Sequence, residues 1–208
     1  GDEPEIIGYY TLSNYLVDVE IFPADETMEA LVRLKEQGKI RAAGVCNFSA
    51  EQLREAEKTV RIEADQVPYS MVRRDIEQDV TPYVVENNKG IIAYSPMQRG
   101  LLTGKFSSDT KLNEGDNRKD SRFFQPENIR RVNEFLAKIK PIADGHNATL
   151  AQLALSWTLH QPGLIVALAG SRDPKQIEDN ANAADLKLTD EELQTINKYL
   201  DELKLEEA

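Results

Sequence analysis

The chain reads as an α/β protein of the (β/α)8 TIM-barrel type, and three observations carry that reading. The apolar residues switch repeatedly between helical and strand-like spacing, as a parallel α/β fold requires. Capping pairs punctuate the helical stretches. Three short apolar runs end in a polar or aromatic residue and give way to a loop or helix: Gly44-Val45-Cys46-Asn47-Phe48-Ser49, Asp65-Gln66-Val67-Pro68-Tyr69-Ser70 and Ile91-Ile92-Ala93-Tyr94-Ser95-Pro96. Such barrels place their chemistry at the C-terminal ends of the strands, so Asn47, Gln66 and Tyr94 are expected to converge on one ligand.

Residues 1–24 fit the alternation least, with Leu16 to Phe22 as a candidate strand. Asp25 reads as the N-cap of a helix carrying Met28, Leu31, Val32 and Lys35, which Gly38 stops. Ile40 to Val45 reads as a buried strand. Ser49 and Gln52 form a capping box ahead of Leu53 and Ala56, and Ile62 to Val67 follows as a strand. A helix around Val80 to Asn88 ends at Lys89-Gly90, where the strand Ile91 to Tyr94 begins. The polar, glycine-dotted stretch of about residues 100–128 reads as a long loop over the barrel mouth. Ile129 to Asp144 and Leu150 to His160 are helical, the second opened by Thr149 and Gln152. Leu164 to Leu168 is the last strand. Asp173-Pro174 has N-cap and N1 chemistry, and Thr189 with Glu192 caps the C-terminal helix.

With 208 residues the chain is long enough for one domain but short of the ~250 that a complete barrel usually takes. An apolar content of 40% and a charged content of 29% fit a soluble globular protein. The net charge of -11 argues against nucleic acid as a partner. The single cysteine, Cys46, excludes an internal disulfide and fits a reducing cytoplasm. No apolar run approaches a membrane span of ~20 residues, and no signal-peptide pattern opens the chain. His146 and His160 both fall in helical segments, which argues against a histidine-rich metal site.

A nicotinamide ring needs its carboxamide held by a donor and an acceptor and one face covered. Asn47 and Gln66 offer both hydrogen-bonding types, and Tyr94 a flat ring. Singly, an Asn after a strand is a turn residue and a Tyr is core; their joint placement after successive strands gives them weight. Backbone N–H groups where a helix begins at Pro174 favour anions, and Arg172 can fork onto a phosphate. No Gly-x-Gly-x-x-Gly fingerprint occurs, so a dinucleotide is not expected to bind in Rossmann fashion.

These segments together resemble the aldo-keto reductases over roughly residues 25–203. The resemblance rests on Gly44, Cys46, Asn47 and Phe48, on Gln66, on Tyr94-Ser95-Pro96, on Arg99-Gly100-Leu101-Leu102-Thr103-Gly104-Lys105, and on the run from Gly170 to Asn180. It implies NADP(H) as cofactor and reduction of an aldehyde or ketone by hydride transfer. It implies that Cys46, Asn47, Gln66, Tyr94, Ser95 and Pro96 adjoin the nicotinamide. It further implies that Gly100, Leu101 and Lys105 run along the pyrophosphate, and that Gly170, Ser171, Arg172, Gln176, Asp179 and Asn180 take the adenosine end with its 2′-phosphate. Cys46 then occupies a Ser-or-Cys position and is not expected to be a nucleophile, neither histidine being an obvious activating base.

The family's Asp-Tyr-Lys-His tetrad comes from the first strands of its barrel and is not carried onto any residue here; Tyr9, Tyr10 and Tyr15 lack the setting that the family tyrosine requires. The expected portion is therefore the C-terminal half to two-thirds of the barrel, with 1–24 poorly matched and 25–208 matching. Three readings follow: part of a longer reductase, a half-barrel that self-associates through exposed strand edges, or a non-catalytic NADP-binding module. The expected partner is a small carbonyl substrate, with no nucleic acid or membrane.

Overall fold

The computed structural model of the chain describes residues 24–207. The candidate strand Leu16 to Phe22 and the three early tyrosines lie outside the described residues. The described chain forms two compact units. One takes residues up to Pro68, then Asp75–Tyr94 and Pro162–Val166; the other takes Tyr69–Arg74, Ser95–Gln161 and the chain from Ala167 on.

The first unit holds helix α1 (Ala24–Glu36), strand β1 (Ala43–Cys46), helix α2 (Ala50–Ala56), strand β2 (Ile62–Pro68), helix α3 (Val80–Glu86), strand β3 (Gly90–Tyr94) and the first residues of strand β4 (Leu164–Leu168). The strands lie in sequence order, β1-β2-β3-β4, and the β1–β2 and β2–β3 pairs are parallel. α1 already includes Ala24 and Asp25, so Asp25 is not its N-cap, while Gly38 does end it, in the left-handed region at φ 67°. β1 starts at Ala43, three residues after Ile40, because Ile40 to Ala42 make no ladder. The Ser49/Gln52 capping box opens α2 as expected.

Below the C-terminal ends of the strands a buried polar knot ties this unit together. Lys89, whose side chain is only 3% exposed, pairs with Glu57 and donates to the Ile62 carbonyl at 2.8 Å. Tyr83 donates to the other Glu57 oxygen at 2.5 Å. These bonds hold Glu57 below its ordinary carboxylate value although burial pushes the other way, and burial with the Glu57 contact raises Tyr83 to about 12. Gly90 lets Ile165 of β4 lie close, since a Cβ there would stand 2.3 Å from Ile165 Cδ1. β4, like β1, is an edge strand among the described residues, and Ile165 is 55% exposed on it.

The second unit is helical: α4 (Pro126–Gly145), α5 (Leu150–Leu159), α6 (Pro174–Ala181) and α7 (Asp190–Glu202). Ile129, Val132, Leu136, Ile139 and Ala143 recur at three- and four-residue steps and form the buried stripe of α4. Trp157 of α5 is fully buried, stacks on Tyr69 at 5.8 Å between centroids, and donates to Asn197 at 2.9 Å. The Thr149/Gln152 and Thr189/Glu192 boxes cap α5 and α7, and Asp173 caps α6. His146 and His160 stand at the C-caps of α4 and α5, and His146 pairs with Glu192 at 2.8 Å. Between Thr103 and Ser121 the chain makes only turns and bends. No helix among the described residues is long and apolar enough to cross a membrane.

Candidate functional site

The expected residues fall into one cluster in each unit. In the first, β1 delivers Cys46 and then turns sharply at Asn47, which lies in the left-handed region at φ 60°. The turn is built from backbone hydrogen bonds to β2: Asn47 N–H donates to the Gln66 carbonyl at 2.9 Å, and Phe48 N–H to Asp65 Oδ1 at 3.5 Å. Ala50 N–H, one residue into α2, donates to Asp79 Oδ2 at 3.1 Å. Gly44 permits the approach, because a Cβ there would stand 3.1 Å from the Ala64 carbonyl oxygen.

Parallel register sets Gln66 beside Cys46 on one side and Ile92 on the other, and pairs Pro68 with Tyr94. Gln66 therefore lies two residues inside β2 rather than at its end. Tyr94 Oη donates to Asn47 Oδ1 at 3.1 Å, which fixes how the Asn47 carboxamide faces. The Cys46 thiol points toward Gln66 Oε1 at 4.0 Å. Burial and then the neighbouring Asp65 push that thiol up, away from the thiolate a nucleophile needs.

Asp65 is the residue that the sequence reading passed over. Its side chain is buried, at 1% exposure, and Oδ2 has no hydrogen-bond partner among the described residues. Burial raises its carboxyl to about 7, against the pull of the Phe48 and Asn47 N–H groups. The available signal was a charged residue inside an apolar run, where strands disfavour Asp.

The second cluster surrounds a cleft of about 840 Å³. Ser95, Pro96, Gly100 and Lys105 line one part of it, and Gly170, Ser171, Arg172, Gln176, Asp179 and Asn180 another. Leu101 does not line it: its side chain is fully buried in the core of this unit. The chain bends around the cleft through left-handed residues at Ser95, Gln98, Arg99 and Gly100. At the start of α6, Gln176 Oε1 accepts from Arg172 N–H at 3.0 Å, Asp173 accepts from Gln176 N–H at 2.9 Å, and Asn180 donates to Ser171 Oγ at 3.0 Å. Gln152 both closes the α5 cap and donates to the Asp179 carbonyl at 2.8 Å.

Four cations line this cleft, Arg99, Lys105, Arg118 and Arg172, against one carboxylate, Asp179. Arg118 and Arg99 are engaged: Arg118 forks onto Asp116, and its guanidinium lies 5.2 Å from the Phe106 ring centroid, while Arg99 donates to Asn117 at 2.9 Å. That fork holds Asp116 down at about 2. Lys105 and Arg172 make no ion pair among the described residues. The sequence reading found Lys105 and Arg172 but not the contribution of Arg118, which comes from the long loop and is recognisable only once that loop is folded.

The chain matches the family model described as the Aldo/keto reductase family over residues 10–201, a match that starts upstream of Asp25. It is 33% identical over 186 residues to the aldo-keto reductase str7 of Strobilurus tenacellus, covering 88% of this chain and 55% of that protein. It is 34% identical over 168 residues to the NADH-specific methylglyoxal reductase of Escherichia coli, covering 81% and 51%. It is 36% identical over 182 residues to the NADP(+) aldo-keto reductase yakc of Schizosaccharomyces pombe, covering 86% and 54%. The solved structure of a glycerol dehydrogenase from Gluconobacter oxydans superposes with a TM-score of 0.83 at 32% identity, over 88% of this chain and 56% of that one. The chain thus spans about half the length of the curated relatives it matches.

Proposed function

The chain belongs to the aldo/keto reductase family, and on that footing we propose that its protein reduces small aldehydes or ketones to alcohols with NADP(H). The nicotinamide supplies the hydride when the cofactor is bound. In the first unit, Asn47 and Gln66 hold the carboxamide, Cys46 adjoins them, and Tyr94 both orients Asn47 and offers its ring. In the second, Ser95, Pro96, Gly100 and Lys105 accompany the pyrophosphate, while Gly170, Ser171, Arg172, Gln176, Asp179 and Asn180 take the adenosine end. Leu101 contributes through its backbone alone, its side chain being buried. The general acid that protonates the carbonyl oxygen is assigned to none of the described residues.

The observation that carries the choice of NADP(H) over NAD(H) is Arg172. Its guanidinium is exposed at the head of α6, is held in no ion pair among the described residues, and fronts a cleft that already collects three other cations. A 2′-phosphate presents the oxygens that a guanidinium fork matches, and a 2′-hydroxyl does not. Relatives are named for each cofactor, the Escherichia coli protein for NADH and the Schizosaccharomyces pombe protein for NADP(+), so the question is settled by titration. Binding of NADPH and NADH is followed by fluorescence on the unmutated protein and on R172A. NADPH is expected to bind more tightly, and R172A to weaken it by about tenfold to a hundredfold, one charge-assisted contact or two, while leaving NADH within about twofold. Equal affinity for the two cofactors, unchanged in R172A, would refute the preference.

A further inference from the structure

We propose that Asp65 is a positioning residue, which, through the backbone of the Asn47–Phe48 turn, holds the Asn47 carboxamide in place for the nicotinamide. The proposal rests on the cofactor reading above. Its physical basis is a mismatch between what Asp65 costs the fold and what it contacts. A carboxyl group at 1% exposure with one oxygen unpartnered is a poor choice for packing beside Ala64 and Val67, both nearly fully buried themselves. An aliphatic residue would serve that position better.

The contacts of Asp65 point in one direction. Oδ1 accepts from Phe48 N–H at 3.5 Å. Asn47 itself occupies the left-handed region, which Asn tolerates better than most residues with a Cβ but which its contacts still select here. Its N–H is spoken for by the Gln66 carbonyl, and its side chain by Tyr94 Oη. Asp65 adds a bond at the next residue, where the chain passes from Asn47 into Phe48. The backbone is thereby clamped from below by β2 and the carboxamide from the side by β3.

The test uses the full-length protein and two probes, NADPH and adenosine 2′,5′-bisphosphate, the second of which lacks the nicotinamide. D65A is expected to weaken NADPH about tenfold, the loss of one hydrogen bond's worth of positioning, while the bisphosphate affinity stays within about twofold. D65N, which restores an acceptor at Oδ1, is expected to bring NADPH back to within about threefold of the unmutated protein. Should D65A fail to fold, D65L fills the space without an acceptor and is expected to bind as D65A would. NADPH affinity unchanged in D65A or D65L would overturn the proposal and leave the cofactor reading standing. Equal losses for both probes would overturn it too, as a general loss of structure. Failure of the unmutated protein to bind NADPH at all would overturn the cofactor reading, and this proposal with it.

Discussion

Replacing Asp65 by Asn is predicted to change the sign of its effect on stability between acid and mildly alkaline pH. The folded carboxyl titrates near 7 against 3.8 ordinarily, because burial disfavours the charge. Below the lower value both folded and unfolded chains carry the proton, and Asp65 has no ionic cost. Between the two values the unfolded chain releases the proton while the folded chain keeps it. The folded state then binds more protons, so stability falls as pH rises, and the full cost is present above about pH 7. About three pH units at ~1.36 kcal/mol each set a ceiling near 4 kcal/mol. Asn removes that cost but buries an amide NH2 without a partner, a penalty of ~1–3 kcal/mol at every pH. D65N is therefore expected to be less stable than the unmutated protein by about 2 kcal/mol near pH 4 and more stable by about 2 kcal/mol near pH 8. Groups with lowered values, such as Glu57 and Glu192, contribute equally to both proteins and cancel in the difference. Urea unfolding followed by circular dichroism across that range makes the comparison; the fluorescence of Trp157 reports on the second unit. Parallel stability–pH curves for the two proteins would refute the reasoning.

Two further substitutions probe the scaffold beneath the Asn47 cluster. K89M withdraws one partner of the half-buried Glu57, which keeps its Tyr83 bond, and leaves the Ile62 carbonyl without its side-chain donor, so a loss of about 1–3 kcal/mol is expected in thermal or urea unfolding. G90A drives a Cβ to 2.3 Å from Ile165 Cδ1 and is expected to cost about 1–3 kcal/mol, most of which the added I165A change recovers by vacating the same space. A G90A loss that persists in the double variant would place the strain in the β3 backbone instead.

The elements that could be read from sequence are those whose signals are local. The capping pairs Ser49/Gln52, Thr149/Gln152 and Thr189/Glu192 each form the reciprocal bonds that their spacing announces, and Leu164 to Leu168 is a strand over just those residues. Asn47, Gln66 and Tyr94 were legible because each ends or nearly ends an apolar run, a property of neighbours in the chain. What escaped depends on neighbours in space. Glu57, Tyr83 and Lys89 look like three ordinary polar residues until the end of α2 and α3 bring them together. Arg118 joins the cleft only because its loop returns toward Gly100 and Phe106. Asp65 reads as one more solvated carboxylate because alternation along β2 breaks at Ala64 and Asp65, both of which are buried. The start of α1 was misplaced by two residues for a related reason: Asp25 satisfies a capping rule, but so short a signal does not compete with a helix already under way at Ala24.

The two clusters rely on different physics, and this constrains where cofactor choice can reside. With a net charge of -11, this chain repels an anionic dinucleotide at long range. At an ionic strength near that of the cell, charges beyond about 8 Å are largely screened, so the overall charge neither attracts nor discriminates strongly. Discrimination must come from groups that touch the ligand. On the proposed reading those groups in the first unit are carboxamides and a phenol, which are neutral and would not sense a 2′-phosphate. In the second, Arg118 is already balanced by Asp116 and Arg99 is tied to Asn117, so neither can gain as much from a new anion as a cation without a partner. Arg172 and Lys105 remain, and of these only Arg172 offers a planar fork, at the turn that Gln176 and Asn180 hold in shape. On the proposed reading, preference between the two nicotinamide cofactors therefore concentrates on Arg172, while the strength with which either is held would be spread over both clusters.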